Sequence, residues 1–293
     1  METTEKIWFN GKFIPWEKAQ THVLSHILHY GGGAFEGIRV YDTVRGSAIF
    51  HLDRHVDRFC YSAKTIGMDL SYSIEEIKKA IIDTVRENKV RACYIRPIAY
   101  YGYGNLKVLP MACPIDVAIA VWPWGAYLSE GSVNIKIIED IPLSKRGKLT
   151  NAKITGHYNN LMYAAHQAVS QGYHEALLLD TEGNIAEGPG ENFFMIKDGV
   201  VITPELGCIL PGITRSTIME IARDLGYSVI ERKIGRQEVF EADECFFTGT
   251  AAEVTPIGSI DDITMKESFG PVTKHLKDVF TSIISQLYYK TMI

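Results

Sequence analysis

The sequence is short of the features that announce several large classes of protein. No stretch of its 293 residues approaches the roughly 18 uninterrupted apolar residues of a membrane span. Positive charge is not in excess. Thirty Lys and Arg face 35 Asp and Glu, for a net charge of −5, so nucleic acid finds no basic footprint. No block of like charge forms a tail, and no internal repeat or low-complexity segment occurs. The five cysteines, Cys60, Cys93, Cys113, Cys208 and Cys245, are odd in number and show no CxxC spacing. They read as reduced, mostly buried thiols of a cytoplasmic protein. Residues 1–13 lack the basic-then-apolar layout of a signal peptide. There is no GxxxxGK[ST], which disfavours a nucleotide triphosphatase. There is no HExxH either. His22, His26 and His29, and His51 and His55, have helical spacing but no clustered Cys or Asp partners. Packing or supporting hydrogen bonds are expected of them, and no metal.

What is present supports a real core: 46% of residues are apolar and 22% charged. The length suits two domains. Asn10-Gly11 between apolar runs predicts a type I′ hairpin. Strands follow near 39–41 and 48–50, then a helix over about 55–67. Ser73 with Glu76 predicts a capping box opening a second helix, with Ile74, Ile77, Ile81 and Val85 on one face. Strands near 92–101 and 116–122 complete a first domain, 1–124. A linker over 125–131 leads to a second domain, 132–293. It opens with the alternating strand VNIKIIE and has a helix near 156–171. The strand EALLLDT is followed by a hairpin turning at Lys197-Asp198-Gly199. A helix runs from Thr214 to an αL stop at Gly226, then come the strand ECFFTGT and a long helix from about Pro271. Hairpins mixed with helical crossovers make both domains α+β.

Four groups in the second half carry chemistry. In GNIAEGPGENFFMI, the acids Glu187 and Glu191 sit among glycines that let the backbone approach a partner; alone, this is a solvated loop. Lys153, in LTNAKITGHY, has no acid within five residues and apolar neighbours. That suits a lysine whose pKa is lowered, although a surface cation is the plain alternative. Leu210-Pro211-Gly212-Ile213-Thr214-Arg215 runs into a helix N-terminus, where free N–H groups and the dipole favour an anion. Its plain alternative is a Thr N-cap. Phe247-Thr248-Gly249-Thr250-Ala251-Ala252 is a second anion nest or a tight turn. Together, a nucleophilic lysine, a phosphate cradle and a carboxylate are what pyridoxal 5′-phosphate requires.

WFNG, SHILHYGGGAFEGIR and YIRP in the first half, and EGPGENFF, LPGITR and TGTAAEVTP in the second, stand in an order that resembles the branched-chain amino acid aminotransferases. These are class IV pyridoxal phosphate enzymes of fold type IV. The resemblance runs from about Ile7 to the last helix. It implies the two-domain fold of the D-amino acid aminotransferase type, with a smaller N-terminal α/β sandwich and a larger C-terminal domain built on a mixed, barrel-like sheet. Carried over by position, Lys153 matches the Schiff-base lysine and Tyr158 the tyrosine on the cofactor's phenolic oxygen. Glu187 matches the partner of the pyridine nitrogen. Arg58 matches the phosphate arginine, and Leu210, Gly212, Ile213, Thr214 and Thr250 the other cofactor contacts. The amides near Thr250 and Ala251, with Tyr94, match the holders of the substrate carboxylate. Phe35, Gly37, Trp124, Tyr127 and Ala252 match the side-chain pocket. Tyr30 and the loop around Val108 match residues that close the site from a neighbouring subunit, so a homodimer or a hexamer, a trimer of dimers, is expected. The substrates expected are amino acids and 2-oxo acids.

The implied reaction is reversible transamination of L-leucine, L-isoleucine and L-valine with 2-oxoglutarate. Lys153 serves as the proton shuttle at Cα. Arg96 lies two residues from Tyr94 on a predicted strand, hence on the same face. It is the candidate for the second carboxylate of 2-oxoglutarate. D-amino acid aminotransferase and aminodeoxychorismate lyase share the lysine and glutamate; a non-catalytic anion-binding protein would not need Lys153. Two departures stand out: His157 in Gly156-His157-Tyr158, where the family usually has Asn, and the stretch Tyr101–Lys107, which bears on substrate breadth.

Overall fold

Asn10 and Gly11, with φ of 46° and 87°, close the first hairpin between β1 (Lys6–Phe9) and β2 (Lys12–Pro15). The computed structural model describes residues 2–125, 128, 131–286 and 290–293. The chain forms two compact units. The first comprises Met1–Gly125 with Ala152–His157 and Ile284–Ile293, and the second comprises Ala126–Asn151 with Tyr158–Ile283. The second unit is thus discontinuous in sequence. The Ala152–His157 segment bonds to first-unit backbone, with Ile154 bridged to Ala34 and Gly156 N–H donating to Gly31 O.

The first unit contains β3 (Gly33–Phe35), β4 (Ile38–Thr43), β5 (Gly46–Phe50), β6 (Cys93–Tyr101) and β7 (Ile115–Trp122). The antiparallel order is β5-β4-β6-β7-β1-β2, with β3 also paired to β6. A short helix α1 (His26–Tyr30) precedes β3. Helices α2 (Leu52–Thr65) and α3 (Ile74–Glu87) cover one face. Leu52, Val56, Phe59 and Ala63 of α2 share a stripe, and all are buried with Ile77 and Ile81 of α3. The Ser73–Glu76 capping box forms in both directions. On β6, Cys93, Ile95 and Ala99 join this core while Tyr94 and Arg96 alternate to the other face.

The second unit holds β8 (Val133–Leu143), α4 (Tyr158–Ser170), β9 (Glu175–Asp180), β10 (Asn192–Lys197), β11 (Val200–Thr203), α5 (Ile213–Asp224), β12 (Val229–Glu231), β13 (Glu244–Gly249), β14 (Glu253–Ile260), β15 (Ile263–Thr264) and most of α6 (Pro271–Gln286). Its sheet is mixed, in the order β12-β11-β10-β13-β14-β8-β9. β11–β12, β14–β8 and β8–β9 are parallel pairs, the rest antiparallel. NFFMI and ECFFTGT lie side by side, so Phe194 stacks on Phe246 with centroids 4.9 Å apart. Asp198 and Gly199 take positive φ at the β10–β11 turn, as does Gly226 just past α5. The last strand, β16 (Lys290–Met292), returns to pair with β5 of the first unit. Its three residues were too few to signal a strand in the sequence.

Candidate active site

In the first unit the β3–β4 junction, α2, β6 and the Ala152–His157 segment build one cluster. Phe35 N–H donates to Lys153 O at 3.1 Å, and Lys153 N–H donates to Ser62 Oγ on α2 at 2.9 Å. The lysine is thereby held at both backbone groups. Its Nζ lies 4.9 Å from the centroid of the Phe35 ring. Burial, then the Arg58 guanidinium, pushes the amine down to about 8 from 10.5, against opposing pulls from Glu36 and Tyr94.

Arg58 is not alone. Glu36, fully buried in the β3–β4 junction, takes its Nε at 2.5 Å and its Nη2 at 3.0 Å. His55, one helical turn before Arg58, meets Glu36 Oε2 through Nδ1 at 2.8 Å. Burial alone would raise the Glu36 carboxyl, but the Arg58 charge and the hydrogen bonds from His55 and Arg58 hold it well below the usual carboxylate range. Burial keeps His55 low and therefore neutral, with its proton on Nδ1. Sequence reasoning missed Glu36. Its only signal is an acid inside the apolar run GGGAFEGIR.

Arg96 lies among rings. Its Cζ is 4.9 Å from the Phe35 centroid, 5.4 Å from Tyr94 and 6.0 Å from Trp122. Its Nη2 donates to Tyr94 Oη at 3.4 Å, and its buried Nε has no hydrogen-bond partner among the described residues. Trp124 packs edge-on to Tyr94 at 4.4 Å. Gly37 must lack a side chain, because a Cβ there would lie 1.8 Å from Tyr94 Oη. Tyr127 lies outside the described residues.

Tyr30 and Val108 belong to a separate surface of this unit. Tyr30 Oη donates to Leu106 O at 2.7 Å, and His26 Nε2 lies 3.1 Å from Lys107 O and 3.2 Å from Val108 O. Carbonyls only accept, so Nε2 carries the proton. Around these bonds Val23, Leu28, Tyr30, Tyr103, Val108, Leu109 and Met111 are all exposed. Residues 103–107 of the departing stretch belong to this surface, whereas Tyr101 is buried in the core; Asn105 Oδ1 accepts from Lys107 N–H at 3.1 Å and its N–H meets Cys113 Sγ. His157 closes a short 3-10 turn, its N–H donating to Ile154 O at 3.1 Å.

In the second unit Glu187 is half-buried. Leu210 N–H reaches both its oxygens, at 3.2 and 3.1 Å, and Asn192 Nδ2 donates to Oε2 at 2.9 Å. N–H donors on both oxygens suit the ionised carboxylate. The plain alternative for Thr214, an N-cap, does not form: Gly212 is the N-cap of α5, and Thr214 is buried at the second helical position. Gly212, Ile213 and Thr214 thus sit where a helix start leaves N–H groups without helical acceptors. Thr250, Ala251 and Ala252 form the β13–β14 turn, and Thr255 Oγ1 donates to Ala252 O at 2.7 Å. Tyr158 is the first residue of α4. Arg215, in the same LPGITR run, turns away to Pro204 O and Glu231, both at 2.8 Å. Among the described residues, no group of three or more His, Cys, Asp and Glu could hold a metal, and no helix is long and apolar enough to cross a membrane.

The family Amino-transferase class IV matches residues 33–260. The chain is 44% identical over 284 residues to the branched-chain-amino-acid aminotransferase of Pseudomonas aeruginosa, covering 95% of this chain and 92% of that one. The crystal structure of the Escherichia coli branched-chain amino acid aminotransferase superposes with a TM-score of 0.95 at 38% identity, covering 99% of each chain. That of the branched-chain amino acid aminotransferase from Thermobaculum terrenum, in its PLP-bound holo form, gives 0.90 at 35%, covering 97% of this chain and 95% of that one.

Proposed function

The chain belongs to the class IV aminotransferases, and we propose that it transfers the amino group of L-leucine, L-isoleucine or L-valine to 2-oxoglutarate, with pyridoxal 5′-phosphate as cofactor. The observation that carries the reading is Lys153: an amine brought down to about 8, against an aromatic ring and beside Arg58. A fraction of it is neutral near pH 7, as a nucleophile and base requires.

The chemistry of each residue suits the part of the cofactor that the family resemblance assigns to it. Lys153 would hold its aldehyde carbon, Arg58 and the Gly212–Thr214 helix start its phosphate, Tyr158 its phenolic oxygen and Glu187 its ring nitrogen. Leu210 and Thr250 complete the set. Bound there, the cofactor supplies an electron sink for the pair left when the substrate's Cα loses its proton. Lys153 Nζ takes that proton and later returns one. Glu36 steadies Arg58 through its Nε–Nη2 edge. Phe35, Gly37 and Trp124 offer an apolar and aromatic surface to a branched side chain, and Ala252 a small one. The amides of Thr250 and Ala251, with Tyr94, suit the substrate carboxylate. The Nε of Arg96, buried and without a hydrogen-bond partner among the described residues, suits the second carboxylate of 2-oxoglutarate. A homodimer or larger homo-oligomer built on the Tyr30–Val108 surface is part of this reading. So is a cytoplasmic location, supported by five unpaired thiols.

The test is direct. Purified protein with the cofactor should be yellow, change colour with L-glutamate, and convert L-leucine but not D-leucine to its oxo acid. Conversion of D-leucine instead would move the chain to the D-specific branch. An unchanged spectrum with every amino acid would end the reading.

A further inference from the structure

Asn192 is not among the residues carried over from the family, yet several contacts tie it to Glu187 and its surroundings. It opens β10 and is 5% exposed. Its backbone bridges antiparallel to Glu187. Residues directly opposite in such a bridge project their side chains to the same face, so the amide is delivered to the carboxylate. Nδ2 donates to Glu187 Oε2 and to Leu210 O, both at 2.9 Å. The N–H of that same Leu210 returns to Glu187. Carboxylate, amide and peptide thus close a ring in which both Nδ2 protons are used.

The other end of the amide reaches the helix start. A Cβ built on Gly212 would lie 2.0 Å from Asn192 Oδ1. Gly212 is the N-cap of α5. Its lack of a side chain is what lets Oδ1 occupy that place. One side chain therefore touches the candidate partner of the ring nitrogen, the Leu210 peptide and the start of the phosphate cradle.

We propose that Asn192 is a positioning residue. It fixes the Glu187 carboxylate and the Leu210–Gly212 loop as one piece, so that charge at the ring nitrogen and anchorage of the phosphate keep a set spacing. The proposal rests on the reading that Glu187 faces the ring nitrogen. An asparagine that only fills space would hold the loop without tuning Glu187.

Asn192→Ser keeps a small polar group but loses the reach to both acceptors. Loss of a hydrogen bond to a charged group should lower kcat with L-leucine roughly 10- to 100-fold, with KM changing less than about threefold. The pH midpoint of the bound cofactor's visible absorbance should move in the same direction as in Glu187→Gln. Cofactor affinity, titrated on the apo protein, should fall about tenfold. Gly212→Ala strikes the same contact from the helix side and should lower affinity as a single change. Added to Asn192→Ser it should lower it by less than about threefold more, because the displaced atom is already gone. Should Asn192→Ser fold poorly, Gly212→Ala must still move the absorbance midpoint. If Glu187→Gln shifts that midpoint and neither of the other variants does, or if their affinity losses multiply, the proposal is overturned. If Glu187→Gln itself changes neither spectrum nor turnover, the reading of Glu187 fails and the proposal falls with it.

Discussion

Glu36 and Arg58 form a side-on ion pair, Nε to Oε1 at 2.5 Å and Nη2 to Oε2 at 3.0 Å, with the carboxylate wholly out of solvent and the arginine side chain 12% exposed. Removing one member of such a pair leaves the other charged and desolvated. Glu36→Gln should therefore cost about 3–5 kcal/mol in urea denaturation at pH 7. The sign with pH follows from the depressed carboxyl. Its stabilisation is fully present above the ordinary value of 4.5 and is lost as pH falls through the lower folded value. The gap between parent and variant should narrow below pH 4.5. A constant gap would mean that Glu36 acts by packing alone.

Lys153 titrates the other way. Its folded value, about 8, lies below the ordinary 10.5, so protonation favours the unfolded chain. The resulting penalty grows as pH falls from 10.5 to 8 and is constant below. Lys153→Met should accordingly stabilise the apo protein at pH 7 by roughly 1–3 kcal/mol, read from its thermal unfolding. In the parent, modification of Lys153 by an amine-reactive reagent, followed by peptide mapping, should have a midpoint near 8. A midpoint shared with the surface lysines would refute the depressed amine.

Arg96 should serve only one of the two substrates. Arg96→Met keeps the bulk against Phe35 and Tyr94 but removes the charge. The half-reaction with L-glutamate should slow by roughly 10²-fold, as for loss of a charge-assisted pair, while that with L-leucine changes far less. Stopped-flow absorbance measures the two separately. Equal losses would place dual recognition elsewhere.

Tyr30, Val108, Leu109 and Met111 are all exposed, and grouped apolar side chains in contact with water mark interaction sites. Active protein should sediment as a dimer or larger closed assembly. Val108→Asp with Leu109→Asp should shift it toward monomer and lower activity. A parent enzyme fully active as a monomer would remove the shared-site reading.

Local chemistry made much of this protein legible in its sequence. Asn10-Gly11 and Asp198-Gly199 demand positive φ, Ser73 with Glu76 demands a helix start, and the alternation through Tyr94 and Arg96 puts both on one face. The Lys153, Glu187 and LPGITR segments could be singled out because each has a local composition suited to its task. What the sequence could not carry was pairing at a distance. Glu36 is 22 residues from Arg58, and its role exists only once the β3–β4 junction folds against α2. Asn192 gains its meaning from Leu210, 18 residues on, and from a missing side chain at Gly212. Lys153 joins the first unit because its flanking backbone finds partners at Ala34 and Gly31, far earlier in the chain. Propensity and periodicity act within a turn or two of chain, whereas burial and the charge partners that set a pKa are summed over everything folding brings near. The identity of the groups was written in the sequence; their electrostatics were decided by the tertiary structure.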